Sequence, residues 1–277
     1  MKKSILLWII AFILTVLTAA YQRMTGPTYP ISGKISIDGK DINYSLDRSH
    51  GGDGDHLLKI KTDDPEISGL LQWKRYKTND ELNNDSLVYQ SGFLTGLLPH
   101  QPPAGKLMYL ITLEKNGSTY QLNDAHPVVI RFKGDVPVAI IIPHVIFIFL
   151  AMLFSTRTGL EFFNKEPKYK KLSYWTFGLL ILGGLIFGPI VQKYAFGEYW
   201  TGFPFGMDLT DNKTLIAFIG WAIAIFAIIK SANPKKWIIF AAIVMFIIFL
   251  IPHSVLGSEL DYNELDKQNN KIEKSVE

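Results

Sequence analysis

The sequence contains no cysteine, which excludes disulfide bonds, thiolate metal ligands and a cysteine nucleophile. It also lacks the short motifs of several large enzyme classes, with no HExxH, P-loop, GxSxG or CxxCH haem-attachment sequence. The formal net charge of +3 is too small to indicate nucleic-acid binding, and no RNA- or DNA-binding motif is present. No reaction is therefore assigned by a motif.

Hydrophobic residues are abundant and unevenly distributed. They make up 48% of the 277 residues, and the mean hydropathy is +0.16. Long uncharged runs occupy residues 1–20 and 136–256, whereas residues 28–134 have the composition of a water-soluble domain. We therefore expect a protein that lies in a lipid bilayer and carries one extramembrane domain.

The N-terminal residues 1–21 have the pattern of an export signal. Lys2 and Lys3 precede an apolar run of about the minimum length for a membrane span. Thr18-Ala19-Ala20 also matches the small-residue pattern of a cleavage site. The segment is thus a signal-anchor or a cleaved signal peptide, and both place the following domain outside the cytoplasm.

Residues 28–134 show period-2 stretches separated by turn residues. Asp38-Gly39 and Asn116-Gly117 each lie between two such stretches and predict tight hairpins. About eight short strands in this length indicate an all-β sandwich, immunoglobulin- or fibronectin-like. We expect this domain to be periplasmic and able to bind a periplasmic protein partner.

Residues 136–256 predict a four-helix transmembrane domain. The expected spans are 136–154, 173–191, 215–229 and 237–253. Basic residues concentrate in the first and third connections, the first of which includes Lys165, and the positive-inside rule therefore places these two connections in the cytoplasm. The glycines around Gly184 and Gly188 indicate close helix packing. The polar residues 257–277 are expected to be a weakly ordered periplasmic tail.

The connection Phe196–Thr214 is unusual because about 20 residues without a regular pattern suggest a functional loop. Aromatic residues and glycines fill its first half, and Asp208 and Asp211 lie in its second half. If the next helix begins within this stretch, Asp211 is expected to be its N-cap or a residue of its first turn. We interpret the loop as a lid on the outer face of the bundle.

Two Ile-Pro-His sequences contribute His144 and His253 to the same depth in the membrane. His144 lies ~12 Å along its helix from the outer boundary, and His253 lies ~24 Å from the inner one. In an apolar core ~30 Å thick, both belong to the outer leaflet. The predicted metal ligands are His144, Asp208, Asp211 and His253, with Glu259 and Asp261 as weaker candidates.

Three kinds of chemistry are compatible with this set. Imidazoles and carboxylates together suit Zn²⁺, Mn²⁺ or Fe²⁺. His144 and His253 are alternatively the ligands of a haem, or part of a proton or ion path. The purely structural alternative is that each histidine binds a carbonyl group or water and that the aspartates cap a helix.

A second possible metal site is the loop Ser49–His56, with the sequence SHGGDGDH. Two aspartates and two histidines within eight residues are compatible with Ca²⁺ or a transition metal. The spacing matches no known metal-binding loop, and loops rich in glycine and aspartate commonly serve only as turns.

Four stretches resemble a family of uncharacterised bacterial multi-pass inner-membrane proteins with a periplasmic β-domain. They are IPHVIFIFLAMLFSTRTGLE, FGPIVQKYAFGEYWTGFPFGMDLTDNKT, IPHSVLGSELDY and, less clearly, LPHQPPAGKLMY. The resemblance implies a bacterial inner-membrane location and supplies no catalytic residues.

The sequence therefore predicts a bacterial cytoplasmic-membrane protein with its N-terminus inside and its β-domain and C-terminus outside. The leading functional hypothesis is a metal or haem site at the periplasmic face of the bundle. The alternative is a non-catalytic anchor, assembly or transport-associated subunit whose β-domain binds a partner. A transporter in its own right is disfavoured, since no inverted repeat is evident.

Overall fold

The computed structural model describes residues 2–164, 166–253 and 255–276, so Lys165 of the first basic connection lies outside the described residues. The chain divides into two compact units. The helical unit comprises residues 1–27 and 136–258, and the β-unit comprises residues 28–135 and 259–277. Each unit therefore contains two separate sections of the chain.

The helical unit is built from six α-helices and two shorter helical segments among the described residues. A 3₁₀ turn, Glu161–Phe163, follows the second helix, and a π-helical segment, Ile181–Phe187, joins the third helix to the fourth. The α-helices are α1 (Lys2–Thr25), α2 (Val138–Leu160), α3 (Tyr169–Leu180), α4 (Gly188–Phe196), α5 (Leu209–Lys230) and α6 (Lys235–Leu250).

Four helical segments of the described chain are long and apolar enough to cross a membrane: Lys3–Thr25, Val138–Phe163, Tyr169–Phe196 and Leu209–Lys230. The last three are longer than the spans predicted from the sequence, and α5 is longer because the loop Phe196–Thr214 contributes its last six residues to it. The expected span 237–253 corresponds to α6, which has only 16 residues.

Small residues allow the helices to approach closely. A Cβ atom on Gly183 would lie 2.8 Å from the backbone nitrogen of Ile148 in α2, and one on Gly184 would lie 2.8 Å from Thr214 in α5. The expectation of close packing at these glycines is therefore confirmed. The hydrophobic core of this unit is formed by buried residues of α2, α3, α5 and α6. They are Ile148, Ala151, Met152, Leu179, Leu180, Ala217, Trp221, Ala224, Ile228, Ile238, Ala241, Ala242, Met245 and Phe249.

The β-unit contains eleven strands in its described residues, arranged in three sheets. One sheet pairs β1 with β2, one has the order β4-β8-β7, and one has the order β3-β11-β9-β5-β6 with β10 also on β9. The strands are β1 (Ile31–Ile37), β2 (Lys40–Leu46), β3 (Ser49–Gly51), β4 (His56–Lys61), β5 (Ser68–Arg75), β6 (Asn83–Ser86), β7 (Val88–Gln90), β8 (Phe93–Leu98), β9 (Lys106–Lys115), β10 (Ser118–Gln121) and β11 (Val128–Lys133).

The two hairpins predicted from turn residues are confirmed. Ile37 pairs with Lys40 and Lys115 pairs with Ser118, and both residues of each intervening turn have positive φ. This geometry favours Asn or Asp followed by glycine. A third hairpin, between β7 and β8, divides the stretch of residues 86–97, whose alternation on its own predicts one strand.

A single buried cluster draws side chains from all three sheets. Ile37 and Ile42 come from the first sheet, Ile60 and Leu94 from the three-stranded sheet, and Leu71 from the largest. Alternate residues of β4 and β9 are buried, as expected of strands with one face in a core.

The C-terminal segment corrects a prediction. Residues 257–277 are expected to be weakly ordered, yet Tyr262–Val276 forms a helix, α7, and Tyr262 is only 4% exposed. The segment belongs to the β-unit, where Leu260 donates its backbone N–H to the carbonyl oxygen of Ala104. Most described side chains of α7 face solvent, which explains its polar composition. The segment is held in place by contacts with residues that are distant in the sequence.

Candidate functional site

The loop between α4 and α5 is held in place by the buried carboxylate of Asp211. Oδ2 of Asp211 accepts hydrogen bonds from the backbone N–H groups of Thr201 (2.6 Å) and Gly202 (3.0 Å) and from the amide of Gln192 (3.0 Å). A Cβ atom on Gly202 would lie 2.6 Å from the Cβ of Asp211, so a side chain would not fit there. Asp211 therefore shapes the loop.

Asp208, rather than Asp211, is the N-cap of α5. Its Oδ1 accepts hydrogen bonds from the backbone N–H groups of Thr210 (2.7 Å) and Asp211 (3.3 Å). Its Oδ2 accepts a third from the N–H of Ser258, at 2.6 Å. Asp211 lies in the first turn, which was the other position expected for it. Asp208 thus joins the start of α5 to the chain beyond α6.

Lys213 of α5 is a buried cation that no sequence pattern indicates. Its side chain is 4% exposed, and its Nζ donates to the carbonyl oxygens of Ile251 (2.8 Å) and Pro252 (3.3 Å). Gln22 of α1 donates to the carbonyl oxygens of Phe249 and Ile251. These side chains satisfy carbonyl groups that the end of α6 leaves without helical partners.

His144 is oriented by the π-helical segment. Its Nδ1 donates to the carbonyl oxygen of Gly183 at 2.9 Å, so in the neutral ring Nε2 carries the lone pair. The same carbonyl oxygen accepts the backbone N–H of Gly188. This is the carbonyl contact that the structural alternative predicts, and it is also the contact that fixes the ring of many metal-bound histidines.

His253 follows Pro252 in the irregular segment after α6, and its side chain is exposed. It interacts electrostatically with Lys213, His144 and Asp208, which places all four residues in one region of the helical unit. The structure therefore brings together His144, His253 and Asp208 of the predicted set.

The two weaker candidates belong to the β-unit. Glu259 forms ion pairs with Lys106 (2.9 Å) and Lys77 (3.2 Å), and Asp261 caps α7 by accepting the N–H of Asn263 at 2.9 Å. Within the described part of the chain, no three His, Asp or Glu side chains form a group that could hold a metal ion. The carboxylates of Asp208 and Asp211 already accept several hydrogen bonds each, which leaves the two histidines as the remaining candidate ligands.

The β-unit contains a polar cavity where the C-terminal segment meets the end of β5. Its volume is about 400 Å³, a size that suits a small ligand or the side chains of a partner. The residues that line it are Tyr76, Lys77, Glu259, Leu260, Asp261, Tyr262 and Asn263. Two tyrosine rings and both signs of charge therefore surround one space.

Hydrogen bonds to Tyr262 and Glu259 fix one wall of this cavity. The hydroxyl of Tyr262 accepts the backbone N–H of Lys106 (2.9 Å) and donates to the side-chain oxygen of Gln101 (2.9 Å). Burial raises the pKa of Tyr262 to about 12, so its hydroxyl keeps its proton. Burial opposes ionisation of Glu259, but hydrogen bonds from Lys106 and Lys77 outweigh it and lower the pKa of this carboxyl group.

Comparison with known proteins adds little to these observations. No protein-family model and no curated protein sequence matches the chain. A solved structure described as "Crystal structure of Br derivative BhCBM56" matches 38% of this chain and 92% of its own, with 15% identity and a TM-score of 0.24. A likeness of that degree carries no argument about fold or function.

Proposed function

We propose that this chain is a bacterial cytoplasmic-membrane protein in which the helical unit is an anchor and the β-unit is an extracytoplasmic binding module. The observation that carries the proposal is the polar cavity of the β-unit, which is lined partly by residues that follow the last helix of the helical unit. The lining of this cavity therefore comes from both sections of the chain that form the β-unit.

The apolar surface of the helical unit supports a membrane location. Phe12 of α1 is 60% exposed and Phe226 of α5 is 63% exposed. Each exposed side chain of this size would cost about 1.5–3 kcal/mol in water relative to burial. A bilayer removes that cost, and the helices satisfy their own backbone groups within it.

The use of lysines supports the orientation. Lys193 and Lys213, near the α4–α5 loop, donate to backbone carbonyl oxygens of their own unit. Lys230, Lys235 and Lys236, by contrast, lie at the α5–α6 connection, where we place the cytoplasm. The α4–α5 loop and the β-unit would then both be periplasmic.

The C-terminal segment supports a fifth membrane crossing. The chain leaves the β-unit after residue 135 and returns to it at residue 259, so the helices between must cross an even number of times. Three of the long apolar segments lie in that interval: α2, α3–α4 and α5. A fourth crossing is needed for an even number, and α6 supplies it. Its 16 residues span ~24 Å, and the irregular residues that follow complete the crossing.

The common core of the three sheets supports the predicted sandwich. Strands with alternating burial face a cluster to which every sheet contributes, which is the packing that two stacked β-layers require. We therefore propose an immunoglobulin- or fibronectin-like arrangement for the β-unit.

Photocrosslinking tests the binding module. Because the chain has no cysteine, a photoreactive maleimide attached to Asn263→Cys reports on the cavity alone. We expect a discrete adduct with a periplasmic protein in cells, and none from the matched control Val88→Cys on the exposed strand β7. Identical adducts from both positions, or none from any cavity residue, would contradict the proposal.

A second candidate is a metal or haem site formed by His144 and His253. It is favoured by the hydrogen bond to Gly183, which holds the His144 ring with Nε2 as the coordinating atom. Metal analysis and an absorption spectrum of the purified protein test it. A Soret band, or stoichiometric zinc, manganese or iron, should be lost in both His144→Ala and His253→Ala, and its persistence in either variant would exclude a joint site.

A further inference from the structure

Two histidines of the β-unit face each other across the loop between β3 and β4. The Nδ1 atoms of His50 and His56 are 3.3 Å apart, and their rings meet edge to face with centroids 5.1 Å apart. The loop reverses through Gly52 and Gly54, whose φ angles of 89° and 100° favour glycine. Packing restrains both rings, because His56 is buried and His50 packs edge to face on Phe132.

The other nitrogen of each ring is directed at an oxygen atom. Nε2 of His50 lies 3.1 Å from the carbonyl oxygen of Gly54, and Nε2 of His56 lies 3.8 Å from the carboxylate of Asp47. The carbonyl oxygen of Gly54 is an acceptor within hydrogen-bond distance, so Nε2 of His50 carries the proton of the neutral ring and its Nδ1 carries a lone pair. Nδ1 of His56 donates a hydrogen bond to this lone pair when the His56 proton is on Nδ1. When that proton is on Nε2, towards Asp47, both Nδ1 atoms present lone pairs to a shared cation.

The separation of the two nitrogens fits a metal ion. Two Zn–N bonds of about 2.0–2.1 Å at a tetrahedral angle place their nitrogens roughly 3.3 Å apart. A carboxylate or carbonyl group on the far nitrogen is also the usual outer contact of a metal-bound histidine. Burial, opposed by Asp47 and reinforced by His50, lowers the pKa of His56, which disfavours a shared proton at neutral pH.

We propose that His50 and His56 bind a divalent transition-metal ion through their Nδ1 atoms. In the described residues no third His, Asp or Glu completes a group of ligands, so water or an incoming group fills the remaining positions. Imidazole ligands suit zinc, copper, nickel and iron better than calcium or magnesium. The site is independent of the cavity and of the histidines in the helical unit.

A metal titration of the full chain in detergent tests this site. Metal-free protein is titrated with Co²⁺, whose absorption reports coordination, and the bound ion is then displaced with Zn²⁺. We expect one equivalent to bind, and His50→Gln and His56→Gln each to weaken binding at least tenfold. Asp47→Asn, at an exposed position, should weaken it several-fold by freeing the ring of His56.

Matched histidine variants distinguish this site from general affinity for metals. His126→Gln, at an exposed position of the β-unit, should leave the Zn²⁺ affinity unchanged. Unchanged affinity in His50→Gln would overturn the proposal. So would a wild-type protein that binds no more Zn²⁺ than the double variant His50→Gln, His56→Gln, provided that both melt at the same temperature.

Discussion

The guanidinium group of Arg75 and the carboxylate of Asp266 form two hydrogen bonds, both 2.8 Å long, across 191 residues of sequence. Arg75 also binds the carboxylate of Asp80 through Nε, at 2.7 Å, and lies 5.1 Å from the centre of the Tyr262 ring. Bidentate pairing of this kind fixes geometry as well as charge. One arginine therefore orients both α7 and the loop after β5.

Arg75→Ala should release α7 from the β-unit. A spin label on Asn269→Cys, in the exposed part of α7, should become markedly more mobile because the helix loses both hydrogen bonds to Asp266. The same label on Val88→Cys should not change. Arg75→Lys is the informative companion variant, since lysine keeps the charge but cannot form the paired contact, and it should also release the helix. An unchanged Asn269 signal in Arg75→Ala would show that other contacts hold α7.

The same contact should weaken in acid. The hydrogen bonds from Arg75 lower the pKa of Asp266, and the pKa of Glu259 is likewise lowered. A carboxyl group whose pKa is lowered by folding stabilises the fold at every pH above its ordinary pKa of about 4. That contribution is lost as the pH falls through the folded-state pKa. The mobility of the Asn269→Cys label should therefore rise between about pH 4.5 and pH 3, and a constant signal over that range would argue against the ion pairs.

Asp211→Asn should loosen the loop between α4 and α5. The carboxylate accepts three donors within 3.0 Å, and hydrogen bonds to a charged group are worth about 1.5–3 kcal/mol each. We expect amide exchange at Thr201 and Gly202 to rise roughly tenfold or more. Glu198→Gln removes a charge from an exposed position of the same loop and is the matched control. Equal exchange in both variants would show that Asp211 does not organise the loop.

Lys213→Met should destabilise the helical unit by about 1–3 kcal/mol, because the carbonyl groups of Ile251 and Pro252 lose their donor. Methionine keeps the length and apolar character of the side chain. Thermal unfolding in detergent measures the effect, and Lys230→Met at the exposed far end of α5 is the control. A melting temperature equal to that of the control would mean that the gain from removing a buried charge offsets the lost hydrogen bonds.

Features that depend on neighbouring residues could be predicted from the sequence. Asp38-Gly39 and Asn116-Gly117 specify their turns locally, because the required positive φ angles select those residues. The long apolar helices could also be predicted, because their uncharged runs are continuous in the sequence. Ser91-Gly92 forms a turn of the same geometry, but it lies within a continuous strand-like stretch, and the sequence pattern does not indicate it.

Features that depend on distant residues could not be predicted. The acceptors of Lys213 lie 38 and 39 residues further along the chain, and α7 is held by Arg75. Neither contact has a local sequence pattern. The sequence predicts Asp208 as a metal ligand or, alternatively, as a helix cap, and the structure shows it as the N-cap of α5 with three hydrogen-bond donors.

Labelling of single cysteines with a membrane-impermeant maleimide tests the central claim most directly. In spheroplasts, Val88→Cys in the β-unit and Asn270→Cys in α7 should both be labelled without permeabilisation. Ser231→Cys, between α5 and α6, should be labelled only after permeabilisation, since the proposed topology has four crossings between residues 135 and 259 and Ser231 follows the third. Labelling of Asn270→Cys only after permeabilisation would contradict the account.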